Sequence, residues 1–286
     1  MFELGRLNRL IVGRRVGFGY YLYDRGDPAR SVLLPAKFAP EKLTEGDGIE
    51  VFLCLDSEDR IVATTRKPAA QVGDIALLRV RDVTEFGAFL DWNQEKDLLV
   101  PFREQPVRME VGKSYLVYVY IDPVTGRIVA SRRLGRFFRG EVSQYAPNQR
   151  VRLTVWEKAR LGWRVVVDRR CIGLVYDNEI FRELSPGMEL EGFVHAVRTS
   201  DNRLDIRLRR DGIRGVEEFK PVILDALEDA GGFLPLHAKS SPVEIAEYFS
   251  FSKRVFKQAV GMLYKERRIT VSGEGIRLAR PSAETR

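Results

Sequence analysis

The sequence predicts a mainly β protein with an α+β tail: three small five-stranded barrels in tandem, then a short helical domain closed by a hairpin. Three observations predict it. A four-part strand pattern is written three times between residues 1 and 210. Each copy is punctuated by Gly, Pro, Asp and Asn and contains no helical period. Past residue 215 the apolar spacing changes from alternation to a helical repeat.

The parts of the repeat come in a fixed order. An aromatic-glycine strand appears as GFGYYLYD at 17–24, EFGAFLD at 85–91 and LGWRVVVD at 161–168. A short apolar run follows at 32–35, 98–101 and 172–176. A glycine turn then opens a longer strand within 43–56, 109–122 and 184–197, and DRIVATTR, GRIVASRR and NRLDIRLR close the copies at 59–66, 126–133 and 202–209. Gly46, Gly112 and Gly187 are offset by 66 and 75 residues, and Arg60, Arg127 and Arg203 by 67 and 76. A unit of roughly 70 residues with about five short strands suits a Greek-key barrel of the OB type. The expected domains are 1–67, 68–135 and a divergent 136–215 as barrels, and 216–286 as the tail.

In the tail, residues 216–230 place Val222, Ile223, Ala226, Leu227 and Ala230 at helical spacing. Ser241-Pro242-Val243-Glu244 reads as a helix start, with Ser at N-cap, Pro at N1 and Glu at N3. After the turn Ser250-Phe251-Ser252 another helix buries Phe256, Ala259, Val260 and Leu263. Strands at Ile269–Val271 and Ile276–Leu278 flank a Ser-Gly-Glu-Gly turn. Three helices and a terminal hairpin make a winged helix.

Composition excludes several function classes. At 44% apolar and 30% charged residues, each unit can bury a core. No run reaches the ~18 apolar residues of a membrane helix and no leader opens the chain, so a cytoplasmic protein without membrane contact is expected. Two distant cysteines, Cys54 and Cys171, read as buried small residues, and with only His195 and His237 a zinc site is hard to assemble. Gly112-Lys113-Ser114 lacks the leading glycine of a phosphate loop, which would fall at Val107. No catalytic set, metal or cofactor is expected.

The middle copy carries Glu85-Phe86-Gly87-Ala88-Phe89, Leu99-Val100-Pro101, Ile121-Asp122 and Gly126-Arg127-Ile128. It resembles the RNA-binding domain named after ribosomal protein S-one. Three such units before a tail containing Ser240-Ser241-Pro242, Ser252 to Lys257 and Leu263-Tyr264-Lys265 are similar to the conserved virulence factor B family. The resemblance implies a bacterial, non-enzymatic RNA-binding regulator.

It also implies that Phe86 and Phe89 lie on the open barrel face, where flat rings stack on unpaired bases. Phe18 and Tyr21 occupy the equivalent positions of the first unit. The third unit has Leu161 and Arg164 instead, with Trp163 between them, and Tyr176 where the first two have Pro35 and Pro101. Asp122 and Arg127 match RNA-contacting positions of the family, although Asp-Pro…Gly is also ordinary turn chemistry. Arg79 and Arg81 flank an inward Val80 and are candidate backbone contacts.

The net charge is +7, of which the 136–215 segment carries +5. Arg150, Arg152, Arg164, Arg207 and Arg209 alternate along its strands: a phosphate-binding face or a solvated one. In the tail, residues 216–251 carry −5 and 252–286 carry +6. Lys253, Arg254 and Lys257 crowd a helix N-terminus against its dipole, as a groove-entering recognition helix would require. Arg277 of the terminal hairpin is grouped with them. The expected partner is single-stranded or loop RNA, with duplex nucleic acid or a protein at the winged helix. The alternatives are a DNA-binding transcription regulator acting through the winged helix, and a protein–protein adaptor.

Overall fold

The computed structural model describes residues 2–180, 183–209, 219–237, 239–249 and 251–279. It contains three barrels and a helical tail with a small sheet, the architecture expected. In the first barrel, β1 (Leu7–Val16), β2 (Gly19–Asp24), β3 (Asp27–Pro35), β4 (Gly48–Leu55) and β5 (Ile61–Thr64) close in the order β1-β2-β3-β5-β4. The third repeats that order with β11 (Arg150–Ala159), β12 (Gly162–Val167), β13 (Cys171–Tyr176), β14 (Glu189–Arg198) and β15 (Arg203–Arg207). In both, the third and fifth strands pair in parallel.

The second barrel comprises β6 (Ile75–Thr84), β7 (Gly87–Asp91), β8 (Leu98–Pro101), β9 (Ser114–Ile121) and β10 (Ile128–Ser131), hydrogen-bonded in the order β10-β9-β6-β7-β8. Its β8–β10 seam is held by side chains. Glu104, 2% exposed just past β8, accepts from Ser131 Oγ at 2.6 Å and Arg136 Nη1 at 2.5 Å, and Arg132 N donates to the Glu104 carbonyl at 3.0 Å. Phe137 lies 4.3 and 5.0 Å from the Tyr118 and Tyr120 rings, so the segment after β10 folds back over the sheet.

One glycine position recurs and explains why each copy needs it. Gly19, Gly87 and Gly162 open the second strand of each barrel at φ 153°, 150° and 157°. A Cβ there would stand 2.1 Å from Leu34 O, 2.2 Å from Val100 O and 2.0 Å from Val175 O. Only glycine lets the neighbouring strand approach so closely.

The chain divides into two compact units, one holding Met1–Gly140 with Thr154–Trp156 and Ser185–Met188, the other the remainder. Within the first unit, the two leading barrels share side chains. On β4, Val51 and Leu53 enter the core of the first barrel, while Phe52 joins that of the second and Cys54 packs against it. A strand buried on both faces reads as the unbroken apolar run VFLCL. Phe52 meets Trp92 edge-to-face at 5.6 Å.

In the second unit, the tail holds α1 (Phe219–Asp229), β16 (Phe233–Leu234), α2 (Pro242–Tyr248), α3 (Lys253–Lys265), β17 (Ile269–Val271) and β18 (Ile276–Leu278), with sheet order β16-β18-β17. The stripe Phe256, Ala259, Val260 and Leu263 of α3 is buried as its spacing requires. On α1 the expectation needs correction: Val222 is exposed, and Phe219 and Leu224 are buried beside Ile223 and Leu227. The proposed 215/216 boundary, the first turn of the expected 216–230 helix and Ser250 lie outside the described residues.

Ser241 caps α2 as read. Its side chain accepts from Glu244 N at 3.1 Å, and the Glu244 carboxylate accepts from Ser241 N at 2.5 Å. Ser241→Ala is therefore expected to cost about 1 kcal/mol. Urea unfolding of the intact chain, followed by hydrogen exchange of α2 peptides, measures it.

Candidate nucleic-acid interface

The three second strands superimpose by register: Gly19 pairs with Pro35, Gly87 with Pro101 and Gly162 with Tyr176. This puts Phe18, Phe86 and Leu161 at one position, in the turn just before the glycine. Their exposures are 60%, 66% and 58%. Two residues past the glycine stand Tyr21, Phe89 and Arg164, all half-buried and paired with Leu33, Leu99 and Leu174. The flanking residues Leu22 and Leu90 point into the cores, so Tyr21 and Phe89 lie on the outer faces. The first two barrels thus each present an exposed ring at the turn and a second ring on the adjoining outer face.

Trp163 is half-buried. It stands at the register position of Tyr20 and Ala88, which are buried, and its pairing partner Val175 is fully buried like Leu34 and Val100. Lys158 Nζ sits 5.9 Å from its ring. Arg164 donates to Glu157 at 2.7 Å, and Tyr176 Oη donates to Asp205 at 3.3 Å. Elsewhere in this barrel Arg150 pairs with Glu191 and Arg207 with Glu179. Arg150, Arg164 and Arg207 are therefore each matched locally by a carboxylate.

Asp122 and Arg127 are engaged inside the protein. Asp122 is buried and accepts from Arg103 Nη2 at 2.8 Å, Thr125 Oγ1 at 3.1 Å and Val124 N at 3.3 Å. That is the turn reading of the residue. Burial alone would raise its carboxyl, and these hydrogen bonds with the Arg103 charge hold it below the ordinary value. Arg127 reaches the other barrel: its Nε and Nη2 grip Asp59 at 3.0 and 2.5 Å. This bidentate pair joins bonds from Asn93 to Lys67 O, Gln94 to Arg66 O and Lys96 to Asp56 O in fastening the two barrels together.

Arg79 is exposed on β6 and donates to Gly112 O at 3.1 Å. Arg81 bridges Asp91 and Asp97, both at 2.9 Å. Tyr21 of the first barrel has the Arg14 guanidinium 5.7 Å from its ring. On α3, Arg254 and Lys257 are exposed, Lys253 is half-buried with Nζ 3.4 Å from Lys239 O, and Tyr264 continues the exposed side. Arg277 lies over the Phe233 ring at 4.0 Å.

Sequence reasoning missed the seam group Glu104, Ser131 and Arg136, although the dense run Arg132-Arg133-Leu134-Gly135-Arg136 was its visible trace. Burial would raise the Glu104 carboxyl; the Ser131 and Arg136 hydrogen bonds, the Arg136 charge and a bond from Tyr120 outweigh it and hold it low. Burial first, then the Glu104 charge, pushes the Tyr120 hydroxyl up to about 12. A depressed carboxylate stabilises the fold above its unfolded value of 4.5 and loses that contribution as pH falls through the folded value. Wild type should therefore lose stability on acidification below about pH 4.5, and Glu104→Gln should start less stable and lose less. Thermal melts at pH 7 and pH 3.5 read the difference.

Among the described residues no group of three or more His, Cys, Asp or Glu side chains could hold a metal ion, and no helix is long and apolar enough to cross a membrane. No disulfide joins Cys54 and Cys171.

Residues 4–66 and 72–132 match the S1 domain, the two barrels that carry the exposed rings, and residues 221–278 match the CvfB-like winged helix domain. The chain belongs to the conserved virulence factor B family. The family is built from binding domains: S1 domains are nucleic-acid-binding barrels. The chain is 26% identical to the protein YitL of Bacillus subtilis over 93% of this chain and 90% of that protein. Conserved virulence factor B of Staphylococcus haemolyticus is 24% identical over 84% of this chain and 82% of that one. A multidomain protein with nucleic acid binding domains from Streptococcus pneumoniae, known from a crystal structure, is 24% identical and matches 96% of this chain and 98% of that one, at a TM-score of 0.40.

Proposed function

We propose that this protein is a non-enzymatic, cytoplasmic RNA-binding regulator of gene expression that holds single-stranded or loop RNA across its first two barrels. The observation that carries the reading is the recurrence of one exposed ring, Phe18 and Phe86, before the same obligatory glycine in two S1 domains. Tyr21 and Phe89 supply the second ring of each platform. Because Phe52, Trp92 and the Arg127–Asp59 pair join these barrels, the platforms are held in one body. A strand that occupies one therefore meets the other at high effective concentration. Of the four segments 1–67, 68–135, 136–215 and 216–286, the first two act as the stacking modules. Arg79 stands outward on β6 and can reach a phosphate.

A second reading concerns the winged helix. Arg254 and Lys257 stand free of ion pairs within 4 Å among the described residues, on the exposed side of α3, a geometry suited to duplex or structured nucleic acid. Fluorescence anisotropy separates the readings. The intact chain should bind labelled poly-U more tightly than mixed-sequence duplex DNA, with affinity falling as salt rises. Binding of duplex DNA alone would move the function to α3, and binding of neither would leave an adaptor.

A further inference from the structure

The second barrel carries a feature that base stacking does not use. Arg103, Arg108, Arg132, Arg133 and Arg136 come from two segments, just past β8 and just past β10, with only the carboxylates of Glu104 and Asp122 buried among them. Their guanidinium groups are held in place. Arg108 lies 3.5 Å from the Phe102 ring centre, and Arg132 lies 4.5 Å from that of Tyr115 while donating to Val107 O at 3.1 Å. Arg133 Nε donates to Arg103 O at 2.8 Å, and Arg103 Nη2 to Asp122 at 2.8 Å. Each contact occupies one face or one edge of a five-donor fork. Arg103, Arg108, Arg133 and Arg136 remain exposed.

The position of this cluster follows from the register. Gly87 pairs with Pro101, so the turn bearing Phe86 and the short turn Phe102–Glu104 lie at the same end of the β7–β8 hairpin. The corresponding turns of the other barrels differ in charge. After β3 comes Ala36-Lys37-Phe38, whose lysine pairs with Glu95 at 2.6 Å; after β13 comes the acidic Asp177-Asn178-Glu179. Five arginines against two carboxylates repel one another, and an anionic strand relieves that repulsion. Arginine rather than lysine at all five positions suits forked recognition of phosphate.

We infer that Arg103, Arg108, Arg132 and Arg133 form a phosphodiester track that receives the backbone of the RNA strand as it leaves the Phe86 ring. This rests on the stacking reading of Phe86 and adds length to it. The test measures anisotropy of poly-U against salt for the intact chain, for Arg108→Gln/Arg133→Gln, for Phe86→Ala/Phe89→Ala, and for Arg25→Gln/Arg30→Gln, at the β2–β3 turn and in the first half of β3. Melting temperatures check that each variant folds.

Losing two phosphate contacts should lower the slope of log affinity on log salt by about 1.4 and weaken binding at least tenfold at about 50 mM salt. The ring variant should lose affinity with its slope intact, and the Arg25/Arg30 variant should keep the wild-type slope. An unchanged slope in Arg108→Gln/Arg133→Gln, or an equal drop in Arg25→Gln/Arg30→Gln, would overturn the track while leaving the platform standing. Salt-insensitive wild-type binding would overturn the track alone, and absent binding would overturn both.

Discussion

Phe52→Ala is expected to lower the stability of the leading two barrels by about 3–5 kcal/mol, the usual cost of emptying a fully buried aromatic site. Phe52 is fully buried, belongs to β4 of the first barrel by sequence, and clusters with Trp92, Leu90 and Val117 of the second by packing. Its removal therefore leaves a cavity in a core it does not belong to by chain position. Hydrogen exchange should accelerate together in peptides from β1–β4 and from β7–β9. Acceleration confined to the first barrel would show that the two fold independently.

The second large effect is on binding. Phe86→Ala/Phe89→Ala should weaken single-stranded RNA binding by roughly 30-fold or more, because each ring is worth about 1–3 kcal/mol per stacked base. Both substitutions leave the core intact, since Phe86 stands in solvent and Phe89 on the outer face. Phe18→Ala/Tyr21→Ala should act in the same direction. Leu161→Ala should change little, since no ring stands at that position in the third barrel. Anisotropy titrations against one labelled oligouridine, at fixed salt, compare the three.

The repeat made the barrels legible because four landmarks recur in order, and each one proved to be a strand or its opening turn. The first strand of each barrel was not among those landmarks. In β1 and β6 a register shift, at Val12/Arg15 and Val80/Asp82, breaks the alternation by which a strand announces itself. Strand β16 has two residues and no periodicity to read. The α2 cap was legible because all its partners lie within four residues.

Tertiary partners were not. Arg127 and Asp59 are 68 residues apart, and nothing local separates an arginine that clasps a neighbouring barrel from one that awaits phosphate. Trp163 invited a stacking role by its chemistry, and only the Gly162–Tyr176 register shows that it aligns with Tyr20 and Ala88 while staying half-buried itself. Charge counting pointed to the third barrel, where arginines meet glutamates. The second barrel, neutral by count, places Arg103, Arg108, Arg132 and Arg133 in two short segments, just past β8 and just past β10.

The most direct measurement of the central claim is photocrosslinking of the intact chain to 4-thiouridine-substituted single-stranded RNA, with adducts mapped by mass spectrometry. The account predicts adducts at Phe86 and Phe89 and at Phe18 and Tyr21, lost when the strand is annealed to its complement. Adducts confined to α3 of the winged helix, or unchanged by annealing, would contradict it.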